Sequence, residues 1–98
     1  MEKGTPHRKL AIIKALLSSG QVRTTQSARE GAVALGFDFD GMLAVVRALT
    51  ASDFYKSMTT HDDHKIWQDV YRPVTSAGQI YLKLTVIDDL LIVSFKER

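Results

Sequence analysis

The second half of the chain alternates between apolar and polar residues, as β-strands with one buried face do. The clearest run is Gly78 to Val86, in which every second residue is apolar. A strand has a side-chain period of two, so this run sends its apolar side chains to one face and its polar side chains to the other. The apolar set is Ile80, Leu82, Leu84 and Val86, and the polar set is Gln79, Tyr81, Lys83 and Thr85. The pattern leaves open whether the polar face is only solvated or carries chemistry.

Three other runs share the β-branched and aromatic character of strands. The four predicted strands are Phe54 to Thr60, Ile66 to Arg72, Gln79 to Ile87 and Leu90 to Lys96. Short polar connections join them, which favours antiparallel neighbours. On the last strand we expect Leu91, Val93 and Phe95 to face the core. Lys96 is then expected to face away from it.

The first half of the chain has the apolar spacing of three amphipathic helices. Thr5 followed by Pro6 is typical of an N-cap and a first helical residue, and Gly20 is a favoured stop. We expect Gln21 to Arg23 to form a short extended link. The predicted helices are Pro6 to Ser19, a second helix capped by Thr24 or Thr25 that ends near Leu35 and Gly36, and a third capped by Asp38 or Asp40 that carries Met42, Val45, Val46 and Leu49.

Helices followed by hairpin-linked strands predict an α+β fold. We expect an antiparallel β-sheet meander of about four to six strands, packed on one face by the N-terminal helices. A chain of 98 residues is long enough for one core, so a single domain over residues 1–98 is expected, with helices at about 6–49 and the sheet at about 54–97. The other face of such a sheet is left to solvent or to a ligand.

Composition narrows the class of protein. A hydrophobic fraction of 45% and a charged fraction of 24% are ordinary for a globular domain, and no apolar run has the length of a membrane span. Cysteine is absent, which excludes a disulfide framework and a cysteine-based zinc site. The first residues lack the apolar segment of a signal peptide, so we expect a cytoplasmic protein without membrane contact. Residues 1–30 carry six Lys or Arg against two Glu, which is compatible with an anionic partner such as nucleic acid.

The polar residues of the predicted strands suit RNA. Cations such as Lys56, Arg72 and Lys96 can hold phosphates, while Gln68 and Tyr81 can contact bases or the 2′-hydroxyl. RNA cleavage without a metal needs a base for the 2′-proton, positive charge at the phosphate and an acid for the leaving 5′-oxygen. Free Lys and Tyr have pKa values of about 10, but clustered cations lower one another's pKa and that of a nearby Tyr. The same residues are also compatible with an ordinary half-exposed sheet surface.

Two other patterns indicate different chemistry. The run His61 to His64 holds four potential metal ligands, as in a metal-dependent hydrolase. The loop supplies no third ligand at a spacing recognisable as that of a zinc site, which favours a solvated hairpin loop. Residues 24–49 resemble a helix-turn-helix, but Asp38 and Asp40 would face the phosphates at the start of the reading helix and repel them.

Several long strings of the chain match one known family. They are Gly20 to Thr25, Phe37 to Met42, Asp53 to Thr60, Ile66 to Pro73, Gly78 to Lys83 and Val93 to Lys96. On these strings the chain closely resembles the MqsR toxins, over essentially its whole length. The likeness is looser along Arg8 to Ser19, Gln26 to Leu35, Leu43 to Ala51 and Val74 to Ala77.

The resemblance implies a RelE-like α+β fold and the toxin of a bacterial type II toxin–antitoxin system. The implied activity is that of an mRNA interferase, which cleaves mRNA at GCU triplets without a metal cofactor. The implied partner is an MqsA-type antitoxin, a dimer with a zinc-binding N-terminal domain that binds the toxin and a C-terminal domain that binds operator DNA. The resemblance places catalytic residues at Lys56, Gln68, Tyr81 and Lys96, and substrate contacts at Tyr55, Met58 and Arg72. The alternative is a non-catalytic nucleic-acid-binding module that uses the same sheet face.

Overall fold

The polypeptide folds into three helices on one face of a seven-stranded sheet. The computed structural model describes all residues, 1–98. In chain order the elements are β1 (Glu2–Lys3), α1 (Leu10–Ser18), β2 (Val22–Thr24), α2 (Gln26–Ala34), α3 (Phe39–Arg47), β3 (Phe54–Thr59), β4 (Trp67–Tyr71), β5 (Val74–Thr75), β6 (Gly78–Ile87) and β7 (Asp89–Glu97). The predicted α+β architecture is confirmed. None of the helices has both the length and the apolar character that crossing a bilayer requires.

The sheet has the strand order β1-β3-β4-β6-β7-β2, and β5 pairs with the first residues of β6. The four long strands are the predicted ones, and all their pairings are antiparallel. Three short strands raise the number above the expected four to six. One of them, β2, lies where a short extended link was expected, and it runs parallel to β7. Its partner lies at the other end of the chain, so local pattern could indicate only that this segment is extended.

The core lies between the helices and the apolar face of the sheet. Strand β6 alternates as predicted, with Ile80, Leu82 and Leu84 buried and Val86 packed beside them. Each helix sends its apolar stripe onto this face. The side chains that meet there are Ile13 and Leu17 of α1, Ala28 and Ala32 of α2, Met42 and Val46 of α3, Leu49, Tyr71 of β4, Ile80, Leu82 and Leu84 of β6, and Leu90, Ile92 and Phe95 of β7.

Strand β7 departs from simple alternation at a β-bulge. Lys83 pairs with Ser94, and the next residue of β6, Leu84, pairs with Ile92. Val93 is therefore an extra residue on β7, which shifts the alternation by one position.

The bulge overturns part of the predicted core. Leu90 and Ile92 are buried, whereas Leu91 and Val93 are only half-buried and lie on the other face. The prediction that Leu91 and Val93 face the core is wrong, because it assumed unbroken alternation along the strand. Phe95 lies beyond the bulge and is buried as expected.

Helix α1 begins later than predicted. Its first residue is Leu10, and Lys9 occupies the N-cap position with an extended backbone and no side-chain cap. The expectation that Thr5 and Pro6 start this helix is wrong. The residues before Leu10 instead cross the sheet.

A buried carboxylate holds this N-terminal segment in place. Asp69 on β4 accepts hydrogen bonds from the backbone N–H groups of His7 at 2.9 Å and Arg8 at 3.1 Å. It also accepts one from the Ser57 hydroxyl on β3. These contacts hold His7 and Arg8 against the sheet, and α1 begins only after Lys9.

Replacing Asp69 by Ala is expected to lower the free energy of unfolding by about 2–4 kcal/mol, because three donors lose a charged acceptor in a buried site. Urea denaturation measures the change. Asp62→Ala is the matched control, since Asp62 is exposed on the β3–β4 loop and its loss is expected to change stability by less than about 0.5 kcal/mol. Equal urea midpoints for the two variants would contradict the anchoring role of Asp69.

The caps of the other two helices are among those predicted. The Thr25 hydroxyl accepts a hydrogen bond from the Ala28 N–H at 3.0 Å at the start of α2. The Asp38 carboxylate accepts one from the Gly41 N–H at 2.7 Å at the start of α3. Both side chains satisfy a backbone donor that the first turn of a helix leaves free. Gly36 follows α2 with a φ of 86°, a left-handed conformation that favours glycine.

Helix α2 approaches β7 most closely at Gly31. A Cβ atom at this position would clash with the backbone carbonyl oxygen of Phe95. Gly31→Ala is therefore expected to lower the free energy of unfolding by about 1–3 kcal/mol, although Ala favours helix more than Gly does. Gly4→Ala serves as the control in the same denaturation experiment, because a Cβ at Gly4 meets nothing within 4 Å. A Gly31→Ala protein as stable as the control would show that the helix and strand can move apart freely.

Candidate functional site

The sheet surface opposite the helices carries the polar residues that the sequence singled out. We call this surface the open face. It is formed by side chains of the four long strands that point away from the core. These are Lys56 and Met58 on β3, Gln68 on β4 with Arg72 just after it, Tyr81 and Lys83 on β6, and Ser94 and Lys96 on β7.

Strand register brings these residues together. Tyr81 lies directly opposite Lys96 on β7. Lys56, Val70 and Lys83 lie opposite one another in a row across β3, β4 and β6. Side chains at opposed positions of antiparallel strands share a face and lie within contact range. The candidate residues of separate strands therefore form one surface.

The bulge in β7 decides the position of Lys96. Leu90 and Ile92 face the core, so unbroken alternation would have turned Lys96 toward the core as well. The extra residue at Val93 reverses the phase and places Lys96 beside Tyr81. The prediction that Lys96 faces away from the core is thus confirmed. The cause is the bulge at Val93, which the alternating pattern did not predict.

A second β-bulge, on β3, likewise decides the position of Lys56. Phe54 pairs with Tyr71 and Lys56 pairs with Val70, which leaves Tyr55 as the extra residue. The Phe54 ring meets the buried Tyr71 ring edge-on at 5.5 Å between centroids, whereas Lys56 faces away from the core. Unbroken alternation would have placed Phe54 and Lys56 on one face.

Tyr81 lies between two ammonium groups. The Nζ atom of Lys96 is 5.3 Å from the centroid of the Tyr81 ring, and that of Lys83 is 5.8 Å away. By contrast, Tyr71 is buried under the helices, and burial raises the pKa of Tyr71 to about 12. Of the tyrosines on β4 and β6, only Tyr81 therefore lies beside the lysines of the open face.

Lys56 carries a partner that the sequence did not indicate. The short strand β1 pairs with β3 and places the Glu2 carboxylate 2.5 Å from the Lys56 Nζ atom. The hydrogen bond to Glu2 raises the pKa of Lys56, and the same contact lowers the pKa of Glu2. No local pattern could have shown this, because a two-residue strand near the start of the chain carries no periodicity.

Tyr55 presents an exposed aromatic ring next to two cations. The guanidinium carbon of Arg72 lies 3.8 Å from the centroid of the Tyr55 ring, and the Lys56 Nζ atom lies 5.3 Å from it. Tyr55 keeps 43% of its surface exposed. Such cation–π contacts hold the ring in place while leaving area for a planar ligand.

A groove of about 510 Å³ opens on the same face. Its walls include Met58, Gln68, Lys83, Val93, and His61 and His64 from the β3–β4 loop. Nowhere does the structure group three or more His, Cys, Asp or Glu side chains in a way that could hold a metal ion. His61 and His64 therefore contribute to the groove as exposed loop residues.

The geometry brings together all seven residues that the resemblance implied. Lys56, Gln68, Tyr81 and Lys96 lie on four adjacent strands of the open face, with Met58, Tyr55 and Arg72 beside them. Ammonium and guanidinium groups can bind a phosphodiester, and a phenol or an ammonium can transfer a proton. This surface can therefore bind a nucleic-acid backbone and move protons on it.

The chain matches known proteins along nearly all of its length. The family described as motility quorum-sensing regulator, toxin of MqsA, matches residues 5–97. The mRNA interferase toxin MqsR of Escherichia coli (strain K12) is 63% identical over 98 residues, which cover 100% of both chains. The chain therefore belongs to the MqsR toxin family.

Proposed function

We propose that the protein is an mRNA interferase, an endoribonuclease that acts as the toxin of a type II toxin–antitoxin system and cuts mRNA on the open face. The observation that carries this proposal is the convergence of Lys56, Gln68, Tyr81 and Lys96 on one exposed surface. These residues come from four different strands, and two β-bulges are needed to align them.

The substrate is held by charge and by stacking. Lys56, Lys96 and Arg72 bind the phosphates of the RNA backbone. Tyr55 offers its exposed ring to a base, and Met58 makes an apolar contact beside it. Stacking of a base on an aromatic side chain contributes about 1–3 kcal/mol, so one such ring is enough to position a nucleotide.

Cleavage proceeds by attack of the 2′-hydroxyl on the adjacent phosphate. A bond forms between the 2′-oxygen and phosphorus, the bond from phosphorus to the 5′-oxygen breaks, and the products are a 2′,3′-cyclic phosphate and a free 5′-hydroxyl. Lys56, Lys96 and the Gln68 amide stabilise the extra negative charge that develops on the phosphate. Tyr81 or one of the lysines takes the 2′-proton or gives a proton to the 5′-oxygen. No step requires a metal cofactor.

Sequence preference resides in the groove beside the catalytic residues. We assign the preference to GCU triplets, as the family resemblance implies. The groove at Met58 and Gln68 has room for a nucleobase, and an amide such as that of Gln68 both donates and accepts hydrogen bonds at a base edge.

A cognate MqsA-like antitoxin neutralises the toxin in this proposal. The description of the family as the toxin of MqsA supports such a partner. We assign to it a zinc-binding N-terminal domain that binds the toxin and a DNA-binding C-terminal domain in a dimer, so that the toxin reaches operator DNA only through the antitoxin. Because mRNA is the substrate, the proposed place of action is the cytoplasm, without a membrane partner.

A second candidate function is binding of nucleic acid without turnover. The cations and the exposed Tyr55 ring favour it, since charge and stacking alone suffice for a single-strand binder. Incubation of the purified protein in EDTA with naked RNA that holds one GCU triplet separates the two functions. Cleavage at the triplet supports the mRNA interferase if an RNA in which the triplet has been altered is not cut. Intact RNA in a stable complex supports the binder, and cleavage that EDTA abolishes supports a metal-dependent hydrolase.

A further inference from the structure

Lys83 occupies the centre of the open face, although the family resemblance does not assign it a role. It pairs across the sheet with Val70 on one side and Ser94 on the other. It also contributes to the groove that contains Gln68. Its Nζ atom lies 5.8 Å from the Tyr81 ring centroid, so it connects the groove with the Tyr81 and Lys96 pair.

The three lysines of the open face differ in their surroundings. Lys56 is bound to Glu2, and Lys96 is exposed at the end of β7. Lys83 is half-buried between them and lies beside the fully buried Val70, its partner on β4. Burial lowers the pKa of Lys83, and the positive charges of Lys96 and Lys56 lower it further. A cation that is partly buried and repelled by neighbouring cations is stabilised most when an anion binds beside it.

We propose that Lys83 is a further catalytic residue of this site, and that its ammonium group contacts the phosphate at which the RNA chain is cut. The inference rests on the proposed function, because it assumes that RNA is cleaved on the open face. A phosphate placed among Gln68, Tyr81 and Lys96 lies within reach of Lys83. The ammonium group then stabilises the negative charge that develops as the 2′-oxygen attacks and the 5′-oxygen leaves.

The contact has a consequence for the pH dependence of cleavage. Because the pKa of Lys83 is lowered, this group loses its charge at a lower pH than an ordinary lysine. Activity that needs the charge falls as the pH rises through the pKa of Lys83. The other titratable groups around it are Lys56 with its Glu2 partner on β3 and β1, Tyr81 and Lys96 on β6 and β7, and the amino terminus, His61 and His64 at the groove.

Two substitutions at this position separate the charge from the packing of the side chain. Lys83→Met keeps an unbranched apolar stem over Val70 and removes the charge. Lys83→Arg keeps a charge that is not lost at any pH used. Lys9→Met is the control for loss of a lysine, since Lys9 is exposed at the start of α1, away from the open face. Single-turnover cleavage of an RNA with one GCU triplet is measured for each protein from pH 7 to about pH 10, a range that spans ordinary lysine titration.

We expect Lys83→Met to lower the cleavage rate by about 100-fold, as removal of one donor at a developing charge does. Lys83→Arg is expected to stay within about tenfold of the unsubstituted protein and to shift the loss of activity to higher pH. A Lys83→Met protein that cleaves as fast as Lys9→Met overturns the inference. So does a Lys83→Arg protein that is as slow as Lys83→Met, because the charge would then not be what this position supplies. If the unsubstituted protein leaves the RNA intact, the proposed function itself fails, and this result is distinct from the other two.

Discussion

Replacing Tyr81 by Phe is expected to lower the rate of RNA cleavage by about 100-fold or more, because a positioned proton donor or acceptor contributes about 10²- to 10⁴-fold to such a reaction. The substitution removes one hydroxyl and keeps the ring between Lys83 and Lys96. Folding and RNA binding are therefore expected to persist. Single-turnover kinetics and a binding assay on the same RNA measure the two effects separately.

Tyr71→Phe is the matched control for Tyr81→Phe. Tyr71 belongs to the buried core on the helix side of the sheet, so the loss of its hydroxyl is expected to leave the cleavage rate unchanged. A Tyr81→Phe protein that cleaves within about threefold of the unsubstituted protein would remove Tyr81 from the proton transfers, since a catalytic acid or base contributes far more. Weakened RNA binding with an unchanged rate in the complex would make Tyr81 a substrate contact instead.

The second large effect is expected at Lys56. Lys56→Met removes a positive charge that we propose faces the scissile phosphate, and this substitution should reduce cleavage by about 100-fold. Its salt-bridge partner, Glu2, provides a test in which removal of a charge is expected to strengthen RNA binding. In the protein without RNA, the Glu2 carboxylate forms a salt bridge with the Lys56 ammonium group. An RNA phosphate must therefore compete with Glu2 for this cation.

Glu2→Gln is therefore expected to strengthen RNA binding by up to about fivefold, a modest gain because the ion pair is exposed. Affinity measured at two salt concentrations checks this assignment, since salt screens exposed charges. The gain should shrink at the higher concentration. Weaker binding by Glu2→Gln at low salt would mean that Glu2 positions Lys56 instead of competing for it.

The predictability of the fold depended on how local each signal was. The helix caps Thr25 and Asp38 could be predicted because a cap acts within its own turn. The late start of α1 at Leu10 could not be predicted, because the Asp69 carboxylate that holds the preceding residues lies on β4. The pairing of β2 with β7 likewise joins distant parts of the chain.

The candidate site was only partly visible in the residue pattern. Alternation along β6 placed Tyr81 and Lys83 on a polar face, and the family resemblance selected Tyr81 within it. Glu2 was not anticipated, and Lys83 had no role assigned. Both acquire significance from their neighbours in space, namely Lys56 for Glu2 and the groove at Gln68 for Lys83.

Local patterns along the chain were enough to predict the α+β class, the four long strands and the two faces of β6, because side-chain period and turn residues act over a few positions. Which residues of β3 and β7 share the open face depends instead on how the strands pair. Each of these strands gains one residue at a bulge, at Tyr55 and at Val93, and each bulge shifts the alternation that follows. A bulge is defined by the strand opposite it, so the positions of Lys56 and Lys96 depend on pairing across the sheet and not on the order of residues along either strand.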